Sequence, residues 1–337
     1  MRVTVAIPVR DGGELLARTL DALAGQTVEH ELLVCDSGST DGSVGVARAH
    51  DARVLEIPSH RFTHGGTRNL LMREARGSHV ALLTQDSEPA DERWLERLLG
   101  GFELAADVAI AYGRYRPRTG AAVAVRTELD RWFDSLSPDG SPRVERLEPH
   151  ERSLPVLELI GRRGFFTDAN ACLAREAWER VPFREVPYAE DRVLAIDMLR
   201  AGYAKAFVPQ AAVLHSHDYS TVQELRRCFD EWRGLREVYG WREPASPAYL
   251  TRQLRGALAQ VRSELIREGA SPSRRRATLI AAARHHIVRL TGAAAGSRAD
   301  LLPPPIRHGL SLERRAGFAP LDLDAPAHST TTQDVSR

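Results

Sequence analysis

Of the 46 basic residues in this chain one is a lysine, Lys205, and the rest are arginine, a bias of coding that carries no mechanism. Charge of one sign is also missing. The basic residues face 45 acidic ones and leave a formal net charge of +1, whereas a nucleic-acid binder shows a strongly basic balance. Cysteine is scarce: Cys35, Cys172 and Cys228 lie far apart, with neither Cys-x-x-Cys spacing nor a paired framework, as a reducing compartment predicts. Each reads as a small core residue. Long apolar runs are lacking too. The N-terminal "MRVTVAIPVRDGG" is too short for a signal segment and is soon followed by charge, and no window approaches a membrane span. These absences predict a chain that folds from residue 3, stays in the cytoplasm and takes no nucleic acid as partner.

What is present is an ordinary soluble composition, 43% hydrophobic over 337 residues, enough for one large domain and an accessory region. From residue 3 to 112, β-type runs ("VTVAIPV", "ELLVCD", "ARVLEI", "HVALLT", "DVAIAY") alternate with helix-period segments ("GELLARTLDALAGQ", "GTRNLLMREARG"). That alternation predicts a parallel sheet with crossover helices, a doubly wound α/β start. A helix is expected from about Pro89. After 113 the pattern breaks into a Pro-, Gly- and Arg-rich stretch with a helix near 122–135, and regularity returns through "YAEDRVLAIDMLRAGY" and "KAFVPQAAVLHSHDYS". Val213, His215 and His217 share one strand face by the period of two. A capping box, Thr221 to Glu224, opens a helix expected to bury Val222, Leu225, Phe229 and Trp232. Residues 251–292 form one or two basic amphipathic helices. Beyond "LLPPPIRHG" the Pro- and Thr-rich tail reads as disordered.

Ligands of such sheets lie beyond the carboxyl ends of the strands. Arg10, Asp36 and Asp86 each fall at such an end, although any one alone is as well explained by a turn or helix cap. A hard divalent cation serving a diphosphate takes one or two carboxylates and lets phosphates fill other positions. Asp86 suits that role, and "AAVLHSH" offers His215 and His217 from another strand end. Glu190 and Asp191 open a helix, where the macrodipole favours acids anyway. Alternatively, one of them serves as general base towards an incoming hydroxyl.

In this order the residues resemble an inverting family 2 glycosyltransferase of the GT-A fold. "VTVAIPVRDGGELLARTLDAL" with "LLVCDSGSTDGS" is similar to the nucleotide-binding start of that family, "TQDSEP" stands where its Asp-x-Asp motif stands, "AED" at its catalytic motif and "AAVLH" at its metal-binding histidine. The resemblance spans residues 3–235. It implies a Rossmann-like, mostly parallel sheet flanked by helices over residues 1–220, with a nucleotide-binding half (1–112) and an acceptor half (113–220). A helical extension (221–295) and a disordered tail (296–337) would follow. It further implies a nucleoside-diphosphate sugar contacted by Pro8, Val9, Arg10, Asp36, Arg68, Gln85 and Asp86. Mg²⁺ or Mn²⁺ would sit on Asp86 with His215 or His217, and Asp191 would be the base with Glu190 beside it. The motifs "HRFTHGGTRN", "YGRYRPR" and "HSHDYS" are most similar to bacterial rhamnosyltransferases of surface polysaccharides, which implies dTDP-L-rhamnose as donor and a saccharide or lipid-linked acceptor.

One departure stands out: only the second carboxylate of Asp-x-Asp remains, after Thr84 and Gln85. UDP- and GDP-sugar donors, and a non-catalytic sugar-nucleotide-binding module, are the alternatives it leaves open. A nucleotidyltransferase would carry a Gly-rich phosphate signature with Lys or Arg near the N-terminus. "IPVRDGGE" has one Arg and then an acid, and "THGGTRN" lacks the Gly-Lys-Ser/Thr ending of a P-loop. The basic helices at 251–292 admit two placements: on an anionic surface at the inner face of the cell membrane, or packed on the catalytic domain with a solvated Arg face.

Overall fold

The computed structural model describes residues 3–159, 163–217, 219–321 and 323. The N-terminal half alternates as the pattern requires: β1 (Val3–Val9), α1 (Gly13–Ala24), β2 (Glu31–Asp36), α2 (Ser43–Ala49), β3 (Arg53–Glu56), α3 (His64–Glu74), β4 (His79–Leu83), β5 (Glu88–Pro89), α4 (Trp94–Gly100) and β6 (Val108–Arg116). Then come α5 (Val123–Leu136), β7 (Arg143–Glu145), α6 (Val156–Leu159), β8 (Asn170–Ala174), α7 (Arg175–Arg180), α8 (Glu190–Arg200) and β9 (Ala204–Leu214). Helices α9 (Thr221–Tyr239), α10 (Pro247–Arg267), α11 (Pro272–Gly296) and α12 (Pro304–Leu310) complete the described chain.

One sheet runs in the order β3-β2-β1-β4-β8-β6-β9-β5, with β7 also paired to β9. Strands β3, β2, β1 and β4 are mutually parallel, as short apolar strands joined by crossover helices must be. Strand β8 is inserted antiparallel between β4 and β6, and β9 returns parallel to β6. The α/β fold is therefore realised with a mixed second half. Its join is tight. Buried Asn170 accepts from Trp94 Nε1 at 2.8 Å and donates to Ala211 O at 2.8 Å and Arg114 O at 3.1 Å. Next to it, a Cβ on Gly113 would fall 1.7 Å from Ala211 O, so only glycine lets β6 and β9 approach there.

Lys205, the one lysine, is fully buried on β9. Its ammonium lies 2.9 Å from Glu145, donates to Phe165 O at 2.6 Å and sits over the Tyr112 ring. A buried charge persists only with such partners.

Three expectations are corrected. Glu88 and Pro89 form an edge strand on Leu214 and Val213, not a helix start; proline is tolerated there because an edge needs no second ladder donor, and the helix begins at Trp94. The capping box of α9 is Ser220 with Gln223, one residue earlier than expected, which turns Val222 outward, 56% exposed. The segment 299–321 is not loose. α12 and the chain after it lie along α9, where buried Asp230 accepts from the Leu312 and Glu313 amides, Arg233 donates to Arg315 O, and Glu237 O accepts from Leu321 N. Composition could not reveal these hydrogen bonds with buried α9 residues. The rest of the expected disordered tail, residues 322 and 324–337, lies outside the described residues.

The basic helices pack inward on one side. α11 closes on α9 where a Cβ on Gly296 would meet Phe229 O at 2.3 Å, and Arg289 reaches Glu128 of α5 and Glu224 of α9.

Candidate functional site

Two clusters of polar side chains sit beyond the sheet's carboxyl-end edge and at the start of α8. The first is built on strand ends. Asp86, just past β4, accepts from the Thr84 hydroxyl at 2.8 Å. His215 and His217, just past β9, place their Nδ1 atoms 3.6 Å from its two carboxylate oxygens. Oxygen and ring-nitrogen atoms of the three residues lie within 4.8 Å of one another. Burial opposes ionisation of Asp86, but the two imidazoles and Thr84 outweigh it and hold its pKa below the ordinary value. Burial lowers both histidines, against the attraction of Asp86. His217, with His215 beside it, falls to about 4. Both rings are therefore neutral near pH 7, the form that ligates metal. The set fits a divalent cation, one carboxylate oxygen with two imidazole nitrogens.

The neutral residues that replace the first motif acid face inward. Thr84 binds Asp86 and Ser87. Gln85 accepts from Arg10 N at 2.8 Å and donates to Arg10 O at 3.1 Å, tying β4's end to β1's. Pro8 and Val9 complete that edge from within β1, opposite Cys35 and Asp36; Val9 is buried and its carbonyl is taken by Ser37, so it shapes the cleft without offering a side chain. Asp36, 3% exposed, holds the Gly38 and Ser39 amides on one oxygen. Its other oxygen is buried without a hydrogen-bond partner among the described residues, a polar atom left to be satisfied.

The second cluster is centred on Arg68 of α3. It donates to Asp168 at 2.8 Å, its Nη1 lies 3.0 Å from Glu190, and it also holds His64 O. Ala189, the residue before α8, has φ +59°, a left-handed bend costly for a residue with a Cβ. That bend places Glu190 and Asp191 at the helix start. Burial and the nearby Asp168 charge, opposed by Arg192, push Asp191 up to about 7. Asp168 also rises to about 7, through burial and Glu190 against the pull of Arg68. Glu190 rises mainly by burial. One guanidinium among three carboxylates cannot keep all of them ionised.

Tyr115 of β6 links the clusters. Its ring packs 4.7 Å from that of His215 and its hydroxyl is hydrogen-bonded to Thr167, next to Asp168.

The profile described as Glycosyl transferase family 2 matches residues 4–153. The O-antigen chain rhamnosyltransferase RfbN of Salmonella typhimurium is 31% identical over 236 residues, 68% of this chain and 71% of that protein. The chain belongs to glycosyl transferase family 2. As a family 2 glycosyltransferase it is also similar to the O-antigen chain rhamnosyltransferase WbaN of Salmonella anatum, 29% identical over 59% of this chain and 61% of that one. Among solved structures, a mannosyltransferase from Pyrobaculum calidifontis, in complex with GDP-Man and Mn²⁺, overlays with a TM-score of 0.50. It is 19% identical over 89% of this chain and 75% of that one, a likeness of fold alone. The GT-A architecture and the transferase class read from the sequence are thus borne out.

Sequence reasoning missed two members of this glycosyltransferase's polar clusters. Asp168 meets Arg68 across a sequence separation of 100 residues, and nothing local in "FFTDAN" announces the pair. Arg118, which donates to Asp86 O at 2.5 Å and to Glu88 at 2.8 Å, was hidden in an arginine-rich loop.

Proposed function

We propose that this glycosyltransferase moves L-rhamnose from dTDP-L-rhamnose to a hydroxyl of a saccharide or lipid-linked saccharide in the synthesis of a surface polysaccharide, with inversion at the anomeric carbon. The rhamnosyltransferase relatives support rhamnose as the sugar transferred. The observation that carries the chemistry is the convergence of Asp86, His215 and His217 at one edge, with a carboxylate pair at the start of α8.

In this reading Asp36 and the backbone around Arg10 hold the nucleoside, Asp36 through its unpartnered oxygen. Asp191 takes the proton from the acceptor hydroxyl as that oxygen attacks opposite the leaving diphosphate. Glu190, Arg68 and Asp168 hold the start of α8, and burial together with the Asp168 charge keeps Asp191 from ionising too readily. A cation on Asp86, His215 and His217 supplies neutralisation of charge on the diphosphate; two imidazoles favour Mn²⁺ over the harder Mg²⁺. Calorimetric titration with dTDP, UDP and GDP, each with and without Mn²⁺, tests the donor. Metal-dependent preference for dTDP supports it, and preference for UDP or GDP removes rhamnose from the reading.

Since Asp191 must be ionised to accept a proton, kcat/KM should drop about tenfold per pH unit below about pH 7 and level off above it. Asp168→Asn removes a negative neighbour, makes Asp191 easier to ionise and should move that acid limb to lower pH. An unmoved limb, in a variant that still binds nucleotide, would disprove the coupling.

A peripheral membrane contact at the inner face of the cell membrane suits a lipid-linked acceptor. It is supported by exposed Ile280 and Ile287 of α11, 65% and 50% exposed, beside Arg275, Arg276 and Arg284. No helix among the described residues is long and apolar enough to cross a membrane. Full-length protein should sediment with anionic vesicles at low salt and release as salt rises; failure to sediment ends this placement.

A further inference from the structure

Away from the cleft, α5, α9, α10 and α11 enclose a cavity of about 170 Å³. Three side chains on its wall or beside it offer metal-ligand atoms within 4.8 Å of one another: Glu128 of α5 and the adjacent His285 and His286 of α11. His285 Nε2 and Glu128 Oε2 are 3.3 Å apart. Two atoms bound to one tetrahedral zinc stand about 3.3 Å apart when each bond is about 2.0 Å. His286 is nine-tenths buried and lines the cavity, yet its Nε2 has no hydrogen-bond partner among the described residues. A buried ring nitrogen with nothing to bind needs an explanation.

Glu128, Glu224 and Glu231 act on Arg289, Glu231 also acts on Arg227, and buried Glu243 adds a carboxylate at the cavity wall. Arg131 is the other cation among the described lining residues. Glu243 is hydrogen-bonded by Trp241 and Tyr249, neither of which carries positive charge. Arg289 does not block the site: it holds Glu128 through Oε1 at 3.0 Å, leaving Oε2 facing His285, the way outer partners orient a ligating carboxylate.

The geometry points to a second cation site, of Glu-His-His type, that pins α11 of the helical extension to α5 of the catalytic half. Two imidazoles with one carboxylate suit zinc, which serves as the probe. The site's part would be structural, since no reacting group among the described residues adjoins it.

The test uses chelator-treated full-length protein carrying Asp86→Ala, so that the first cluster lacks its carboxylate. Titration with Zn²⁺ should show one ion bound per chain and a rise in Tm. Adding His286→Gln, or in a separate protein the more accessible His285→Gln, should weaken uptake by at least about tenfold and abolish the rise. No zinc uptake by the Asp86→Ala protein would overturn the site, as would uptake and Tm indifferent to both histidine substitutions. Circular dichroism of each metal-free variant confirms that loss of binding is not loss of fold. If His286→Gln fails to fold, His285→Gln alone decides.

Discussion

Asp191→Asn is expected to lower kcat by roughly 10²–10⁴-fold, the contribution of a well-placed general base, while leaving nucleotide affinity within about twofold. The separation follows from position. Asp191 starts α8, where its oxygen is bonded at 2.7 Å by the Arg192 amide, and it belongs to neither the Asp86 cluster nor the Asp36 turn. Asparagine keeps the shape and an oxygen for that amide, and it removes one of three carboxylates crowded around Arg68. The variant should therefore fold at least as well as the parent. Turnover of the nucleotide sugar and calorimetric nucleotide binding, measured on the same preparation, give the answer. Turnover within tenfold of the parent would take the base role away from Asp191, and Glu190→Gln would then be the next variant to assay.

The second large effect belongs to Asp86. Removing a partner that merely orients a metal ligand costs about 10–100-fold in metal affinity, so Asp86→Ala, which removes a ligand itself, should weaken Mn²⁺-dependent nucleotide binding by at least about 100-fold. Thr84 cannot take over, because its hydroxyl is neutral and already turned to Asp86 and Ser87. Metal-independent binding should survive through Asp36 and the Arg10 edge. Unaltered metal dependence in the variant would place the cation elsewhere.

How much of this was readable beforehand depends on the range of the interaction. Strands β1 to β4 and β6 follow from short β-branched runs, and the chemistry at their ends follows from the rule for open α/β sheets. Asp86 and both histidines are local endings of such runs. The reversed β8 was not legible, because its direction is set by Asn170 and Gly113 gripping β6 and β9, a match of residues that lie tens of positions apart. The loss of the first motif acid was legible, but its compensation was not: Gln85 became a brace for Arg10, and both imidazoles came to the remaining carboxylate. Asp168 escaped notice for the same reason as β8.

Lys205 has a practical consequence. Fully buried between Glu145, Phe165 and Tyr112, it is the only lysine in the sequence, so the folded domain presents no lysine amine to solvent. Acylating labels and amine-directed cross-linkers should leave residue 205 unmodified until the β7–β9 corner opens. The mass added at that single position then counts the opened molecules, without any probe having to be engineered into the protein.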